Sequence, residues 1–354
     1  MNDGIYDVTN FYPILAEYVD GEWSHEAYVP VGECFYSEIS NYDVRITVPS
    51  GYTIASSGTQ VDKQENEDTC TFTFLAPYVR DFVFCASTKF AWKSETYNGV
   101  TVNVLYNAEN PPRANMDFYI EASFDAADRS LEAFGDAFGL YPYEELDIVL
   151  APIDAGGMEY PNLVIITDDY IKNAFITAEM IANNDDFLEE AFEELKGTIA
   201  HEIGHQWFMG IVGSNSGMQP WQDESITSYT ELVYWEFVGG NNYLLYYASS
   251  ENIDLTDAAQ IKILKANDEL PINLPYYDYC DDDAYVFAVY GVGQAVLYQM
   301  EEIIGREEMH AVLRKYVQDN AFTNTNPSSF FDCLYEVAGT DNEKLNTLIR
   351  NTFQ

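Results

Sequence analysis

Apolar and polar positions alternate over several short stretches in the first third of the chain. Tyr42–Val48 alternates up to Pro49-Ser50-Gly51, a turn sequence, and Cys70–Leu75 alternates again. Val79–Ala86 and Val100–Tyr106 follow, separated by polar or glycine-containing breaks. Alternation places successive side chains on opposite faces of a strand, so residues 1–105 are predicted to form a β-rich lobe. The period changes near Asn110-Pro111-Pro112. From Ala114 to Gly135 the apolar residues Met116, Tyr119, Ile120, Phe124, Ala127, Leu131 and Phe134 recur at helical spacing, with Gly135 read as the stop. Two short apolar runs, Leu146–Ile153 and Leu163–Thr167, read as strands. Beyond Asp168 the pattern predicts helices over about 170–182, 186–211, 223–238, 286–304, 306–320, 327–338 and 341–352. A β lobe, a short mixed segment and a helical lobe make an α+β chain, with domains expected over 1–105 and 106–354.

Composition narrows the class. The chain has 354 residues, 47% of them hydrophobic and 15% aromatic, which is enough to bury a core and argues against disorder. Its 16 basic residues face 59 acidic ones, a formal net charge of -43, and a phosphate backbone would be repelled, so nucleic acid is excluded as a partner. The acidity reads as a solvated surface; an acidic cleft drawing cationic peptides, near Asp281-Asp282-Asp283, is the sharper alternative. The five cysteines (Cys34, Cys70, Cys85, Cys280 and Cys333) are scattered, with no CxxC pair, so they indicate neither a thiolate metal site nor a disulfide framework. No apolar run approaches the ~20 residues that span a bilayer. Met1-Asn2-Asp3-Gly4 has no basic or apolar leader, so no signal peptide is read. Nothing in the sequence speaks to oligomeric state.

The strongest chemical signal is His201-Glu202-Ile203-Gly204-His205, an H-E-x-x-H pentapeptide at the end of a predicted helix. On a helix, positions i and i+4 share a face, so two imidazoles reach one ion. Glu202 lies about 100° round from His201, near enough to touch a water held by that ion. A catalytic zinc takes three protein ligands and leaves one position open. After His205 come eighteen residues and then Glu224, beyond a Gly- and Pro-containing loop, where apolar periodicity resumes with Ile226, Tyr229, Leu232 and Val233. Glu224 thus opens a second helix that can pack antiparallel to the first. Alone, an acid there would be a helix-dipole partner; its spacing from the pentapeptide makes it the third ligand. His25 and His310 have no matching partners and read as ordinary surface or core histidines.

His201, His205 and Glu224 in this order resemble the M1 family of zinc aminopeptidases, and so do their surroundings. His201-Glu-Ile-Gly-His-Gln-Trp-Phe208 is similar to the family's zinc helix. Trp221-Gln-Asp-Glu-Ser225 stands where the family shows W-L-N-E-G. Gly157-Met158-Glu159-Tyr160 resembles its G-x-M-E-N motif, with Tyr160 in place of Asn, and Tyr290-Gly-Val-Gly293 resembles its Y-E-K-G motif without the Glu and Lys. The match runs over roughly residues 105–340, and the β-rich first third looks like the end of the family's N-terminal domain.

The resemblance implies one Zn2+ per chain in a thermolysin-like, mostly helical domain, and peptide substrates with a free N-terminus. It assigns Glu202 as general base and Tyr290 as a donor to the oxyanion, with Tyr285 a weaker candidate nearby. Glu159 would meet the substrate's α-ammonium, and the Gly157-Met158 backbone would pair with an extended peptide. Glu231 would accept a hydrogen bond from a ligand imidazole. Family members carry a fuller β lobe and a further helical domain, so the chain is expected to be a piece of a longer protein or a minimal version of the fold, with an extracytoplasmic or membrane-anchored parent left open. Two alternatives stay open: a thermolysin-type endopeptidase, and a peptide-binding fragment with weak turnover.

Overall fold

In the strand Thr69–Val79 the alternate side chains Cys70, Phe72, Phe74 and Ala76 are buried, and those between them are half-buried or exposed. This pattern organises the β-rich part of the molecule, a computed structural model that describes residues 4–19, 21–24, 36–109, 116–170, 186–239, 272–279 and 281–353. Two compact units are present. One comprises Met1–Ile14, Ile39–Glu132 and Tyr141–Gln206; the other comprises Leu15–Glu38, Ala133–Leu140 and Trp207–Gln354. The mixed α and β content, β-rich first and helical later, follows the expected order.

In the first unit, Thr69–Val79 lies between Ser40–Pro49 and Thr59–Glu65 in an antiparallel sheet. Its inner face packs with Ile46, Ile54, Val79 and Phe82 into one apolar cluster. The predicted strand over Val79–Ala86 is two pieces: Val79 ends one strand and Phe84–Ser87 forms another. The break has a local cause. The Phe82 N–H donates to Asp81 Oδ1 at 2.7 Å and to the Tyr12 hydroxyl at 3.0 Å, and the Val83 N–H donates to Ser57 Oγ at 3.1 Å. Side chains thereby take donors that a strand would give to its neighbour. Phe84–Ser87 instead joins Tyr6–Val8 and Thr53–Ser56 in a separate sheet.

A five-stranded sheet completes this unit, in the order Gly157–Met158, Leu163–Thr167, Glu145–Ala151, Val100–Asn107, Phe90–Tyr97. Its three central strands are parallel and its two edges antiparallel. Parallel neighbours need a crossover, and the helix Met116–Phe138 supplies it between Val100–Asn107 and Glu145–Ala151. That helix runs through the expected stop at Gly135 and ends at Gly139, whose φ of +115° suits glycine and whose N–H bonds Gly135 O at 3.1 Å. Leu163–Thr167 is buried along its whole length, as is Glu145–Ala151 beyond its first residue, which explains why both read as continuous apolar runs.

The second unit is mainly helical: Ile226–Phe237, Asp282–Val286, Gly293–Ile304, Arg306–Asn320, Pro327–Ala338 and Glu343–Phe353. Rings dominate its interior, with Trp221 against Phe330, Phe331 and Phe353. The predicted helix over 170–182 lies outside the described residues apart from its first residue, as do Cys34, Cys280 and His25; Cys70, Cys85 and Cys333 are buried free thiols. His310 is partly buried against Phe138, and burial holds its pKa below the ordinary value, in keeping with a core histidine. Among the described residues no helix is long and apolar enough to cross a membrane.

One buried acid sits on the central strand. Asp147 accepts from Asn103 Nδ2 at 2.8 Å and from the Ser56 N–H at 3.3 Å, while the same Asn103 amide donates to Glu145 at 2.9 Å. Burial, with Glu145 adding to it, pushes the Asp147 carboxyl up to about 7. The folded chain therefore holds this proton where an unfolded aspartyl has already released it, and the Asp147 contribution to stability falls as pH rises from about 4 to about 7. Asp147→Asn should flatten that part of the stability profile. Urea unfolding of both proteins in chelator between pH 5 and 8 checks this, and parallel profiles would refute it.

Candidate functional site

The helix Asp186–Gly204 delivers His201 and Glu202 on its last turn, and His205 follows immediately with its N–H still bonded to His201 O at 3.2 Å. It stops short of the 211 expected from periodicity. Gln206 N–H bonds back only three residues, to Ile203 O at 3.0 Å, and Met209 takes φ +144°, so the chain turns away. The two imidazoles meet as the spacing requires: their Nε2 atoms lie 3.1 Å apart and the rings cross at 79°.

Glu202 is 5% exposed and lies against bare backbone. A Cβ added at Gly157 would sit 2.2 Å from Glu202 Oε1 and 2.4 Å from its Cδ, so only glycine lets this edge strand approach the carboxylate. Glu159, one residue beyond the strand Gly157–Met158, is buried. Its backbone is fixed from the helix end. Gln206 Nε2 donates to Tyr160 O at 3.3 Å and Glu159 O at 3.4 Å, while Gln206 Oε1 accepts from the Asn162 N–H at 2.9 Å. Asn162 itself turns the chain with φ +60° and accepts from the Tyr141 hydroxyl at 2.7 Å.

In the second unit, Glu224 lies in Trp221–Ser225, a single π-helical turn that leads into the helix Ile226–Phe237. Periodicity predicted a helix from 223; it did not predict the wider turn. Every residue of that turn is buried. Asp223 accepts from Ser216 Oγ at 2.6 Å, and Gln222 Nε2 donates to the Tyr316 hydroxyl at 2.9 Å. Tyr290 falls in a second π-helical turn, Phe287–Val292, with its ring centroid 6.1 Å from that of Tyr285. Tyr285 is buried in a cluster with Tyr276, Tyr279, Ala288 and Val289, and Tyr290 packs on that cluster half-exposed. Glu231 is half-buried on Ile226–Phe237.

His201, His205 and Glu224 each offer one donor atom, and the three atoms lie within 4.8 Å of one another. Tetrahedral zinc with bonds of 2.0–2.1 Å separates its donors by about 3.3 Å. The imidazole pair at 3.1 Å matches that edge, and two neutral nitrogens with one carboxylate are a donor set suited to zinc. A second set, Glu159, His205 and Asp223, meets the same distance limit but shares His205 and contains one imidazole.

A family model for the peptidase family M1 domain matches residues 122–352. The chain belongs to peptidase family M1. Among curated relatives, aminopeptidase N of Streptomyces lividans is 27% identical over 228 residues, covering 62% of this chain and 25% of that protein. Aminopeptidase N of Lactococcus lactis subsp. lactis is 23% identical over 345 residues, 93% of this chain and 37% of its own. This M1 chain thus matches about a quarter to somewhat over a third of the length of such relatives. The crystal structure of an M1 zinc metallopeptidase from Deinococcus radiodurans shares the fold, with a TM-score of 0.66 and 18% identity over 89% of this chain and 64% of that one.

Sequence reasoning quoted Gln206 within a motif but gave it no task, and it passed over Asn162. Neither spacing nor composition reveals that one amide ties down a loop 44 residues earlier in the M1 chain. Gln206→Leu would deprive the buried Asn162 N–H of this acceptor, while Tyr160 O would keep the Leu163 N–H. It should lower stability by about 1–3 kcal/mol, and urea unfolding measures the change. A loss below about 0.5 kcal/mol would show that the tie contributes little.

Proposed function

We propose that this chain carries the catalytic core of a zinc aminopeptidase, which removes N-terminal residues from peptides. The observation that supports this best is the convergence of His201, His205 and Glu224 donor atoms beside the pentapeptide's Glu202. Names printed for the M1 relatives, aminopeptidase N among them, point the same way. On this reading residues 106–354 are a thermolysin-like catalytic domain, and 1–105 are part of a β-rich one.

His201, His205 and Glu224 would hold one zinc ion, which when bound supplies Lewis acidity to polarise the scissile carbonyl and acidify a water. Glu202 takes that water's proton and passes it to the leaving amine. Its seat against Gly157 supports this role, because a carboxylate wedged on backbone keeps one orientation. Glu159 receives the substrate's α-ammonium, a pairing that suits a buried carboxylate in a chain with few cations of its own. Gly157-Met158, on the sheet edge, offers main-chain groups to an extended peptide. Tyr290 donates its phenol to the developing oxyanion, with Tyr285 packed behind it. Glu231 accepts from a ligand imidazole and fixes its tautomer.

Paired alanyl and leucyl reporters, free and N-acetylated, test the proposal, with chelator and zinc add-back. Chelator-sensitive release from free amines only is the expected outcome; cleavage of blocked peptides would indicate an endopeptidase instead. Glu202→Gln should keep its zinc and lose kcat by about 10^3-fold, and near-normal turnover would exclude it as the base. Glu159→Ala should slow free-amine substrates far more than blocked ones. Gly157→Ala should also retain zinc while lowering kcat at least about tenfold, because the added methyl must displace Glu202.

A further inference from the structure

The Glu224 turn, Trp221–Ser225, and the Tyr290 turn, Phe287–Val292, are both π-helical, and one side chain joins them. Ser225 is fully buried and donates its hydroxyl to Val289 O at 2.5 Å, on the peptide link that leads into Tyr290. Room for the hydroxyl depends on a bare backbone opposite. A Cβ added at Gly293 would stand 2.0 Å from Ser225 Oγ and 2.5 Å from Ser225 Cβ. One turn further on the exchange is returned, as Gln294 Nε2 donates to Ser228 O at 2.5 Å. The two helical segments thus trade side-chain donors for main-chain acceptors, Ser225 with Val289 inside the wide turns and Gln294 with Ser228 just beyond them.

A π turn bulges the helix and swings a carbonyl out of the regular ladder, and a side-chain donor that captures such a carbonyl fixes how far it swings. We infer that Ser225 is a positioning residue for Tyr290: its bond to Val289 O sets the rotation of the Tyr290 turn against the turn that bears Glu224. The inference rests on the proposed role of Tyr290. Nothing in it requires Ser225 to touch substrate or metal.

The test compares wild type, Ser225→Ala, Tyr290→Phe and the double variant for kcat, KM, bound zinc and thermal midpoint on a free leucyl reporter. Ser225→Ala should lower kcat about tenfold, leave KM within about twofold and retain zinc, as loss of an interaction felt in the transition state does. In the Tyr290→Phe background the same change should cost little more, because its effect passes through the missing phenol. Wild-type kcat in Ser225→Ala, or losses that multiply in the double variant, would overturn the inference. Loss of zinc in step with activity would overturn it too, by showing that the hydroxyl serves Glu224 instead. A silent Tyr290→Phe would remove the role of Tyr290 itself and the inference with it, and that result is distinct from a silent Ser225→Ala beside a damaged Tyr290→Phe. Should Ser225→Ala fail to fold, Ser225→Gly removes the same hydroxyl without adding bulk.

Discussion

Two imidazole nitrogens held 3.1 Å apart can share a proton or a cation and little else, and the first unit is arranged so that they stay there. The last turn of Asp186–Gly204 sets the separation through plain helical geometry. Chain from the five-stranded sheet then constrains that turn. The edge strand Gly157–Met158 presses bare backbone on Glu202, and Gln206 pins the loop that carries Glu159 to the helix end. Behind them lie the buried parallel strands Glu145–Ala151 and Leu163–Thr167, whose close packing leaves little freedom to shift.

Carboxylates are the second theme. In a chain with 59 acidic and 16 basic residues, burying an acid rarely comes with a lysine or arginine to match it. Asp147 meets the difficulty with Asn103 and Ser56 as donors and by holding its proton. Asp223 takes a hydroxyl from Ser216. Glu159, Glu202 and Glu224 are buried as well, and under the proposed function a buried carboxylate would draw a divalent cation or a substrate ammonium more strongly than the same group in water. The acidity of the chain and the chemistry proposed for it are therefore linked through desolvation.

What the sequence revealed followed the range of each interaction. The histidine pair was legible because i and i+4 is a local relation, and Glu224 because its turn opens a helix of clear period. Strands with one buried face, such as Thr69–Val79, announced themselves by alternation, whereas Thr59–Glu65 is exposed throughout and left no trace. The break after Val79 depends on Tyr12, 70 residues from Phe82, and the end of Met116–Phe138 depends on which of two glycines takes a positive φ. The π turns were hidden for a related reason. Their apolar residues look helical in one dimension, and the contacts made at the wide turns, such as that of Ser225 with Val289, 64 residues apart, are not local.

Those wide turns carry a cost that is written in the reading frame. A π turn amounts to an α-helix with one residue too many, so deletion of a single codon there would let the helix relax to regular geometry. The residues on either side would keep their register, because the bulge already accommodates the extra residue, and only the side chains of the turn itself would be re-aimed. In Trp221–Ser225 that would turn Glu224 to a new direction while the buried residues of Ile226–Phe237 stay in place. Substitutions can drift through such a segment one at a time. A change of length cannot, and the spacing of eighteen residues between His205 and Glu224 is in this sense a structural quantity as much as a motif.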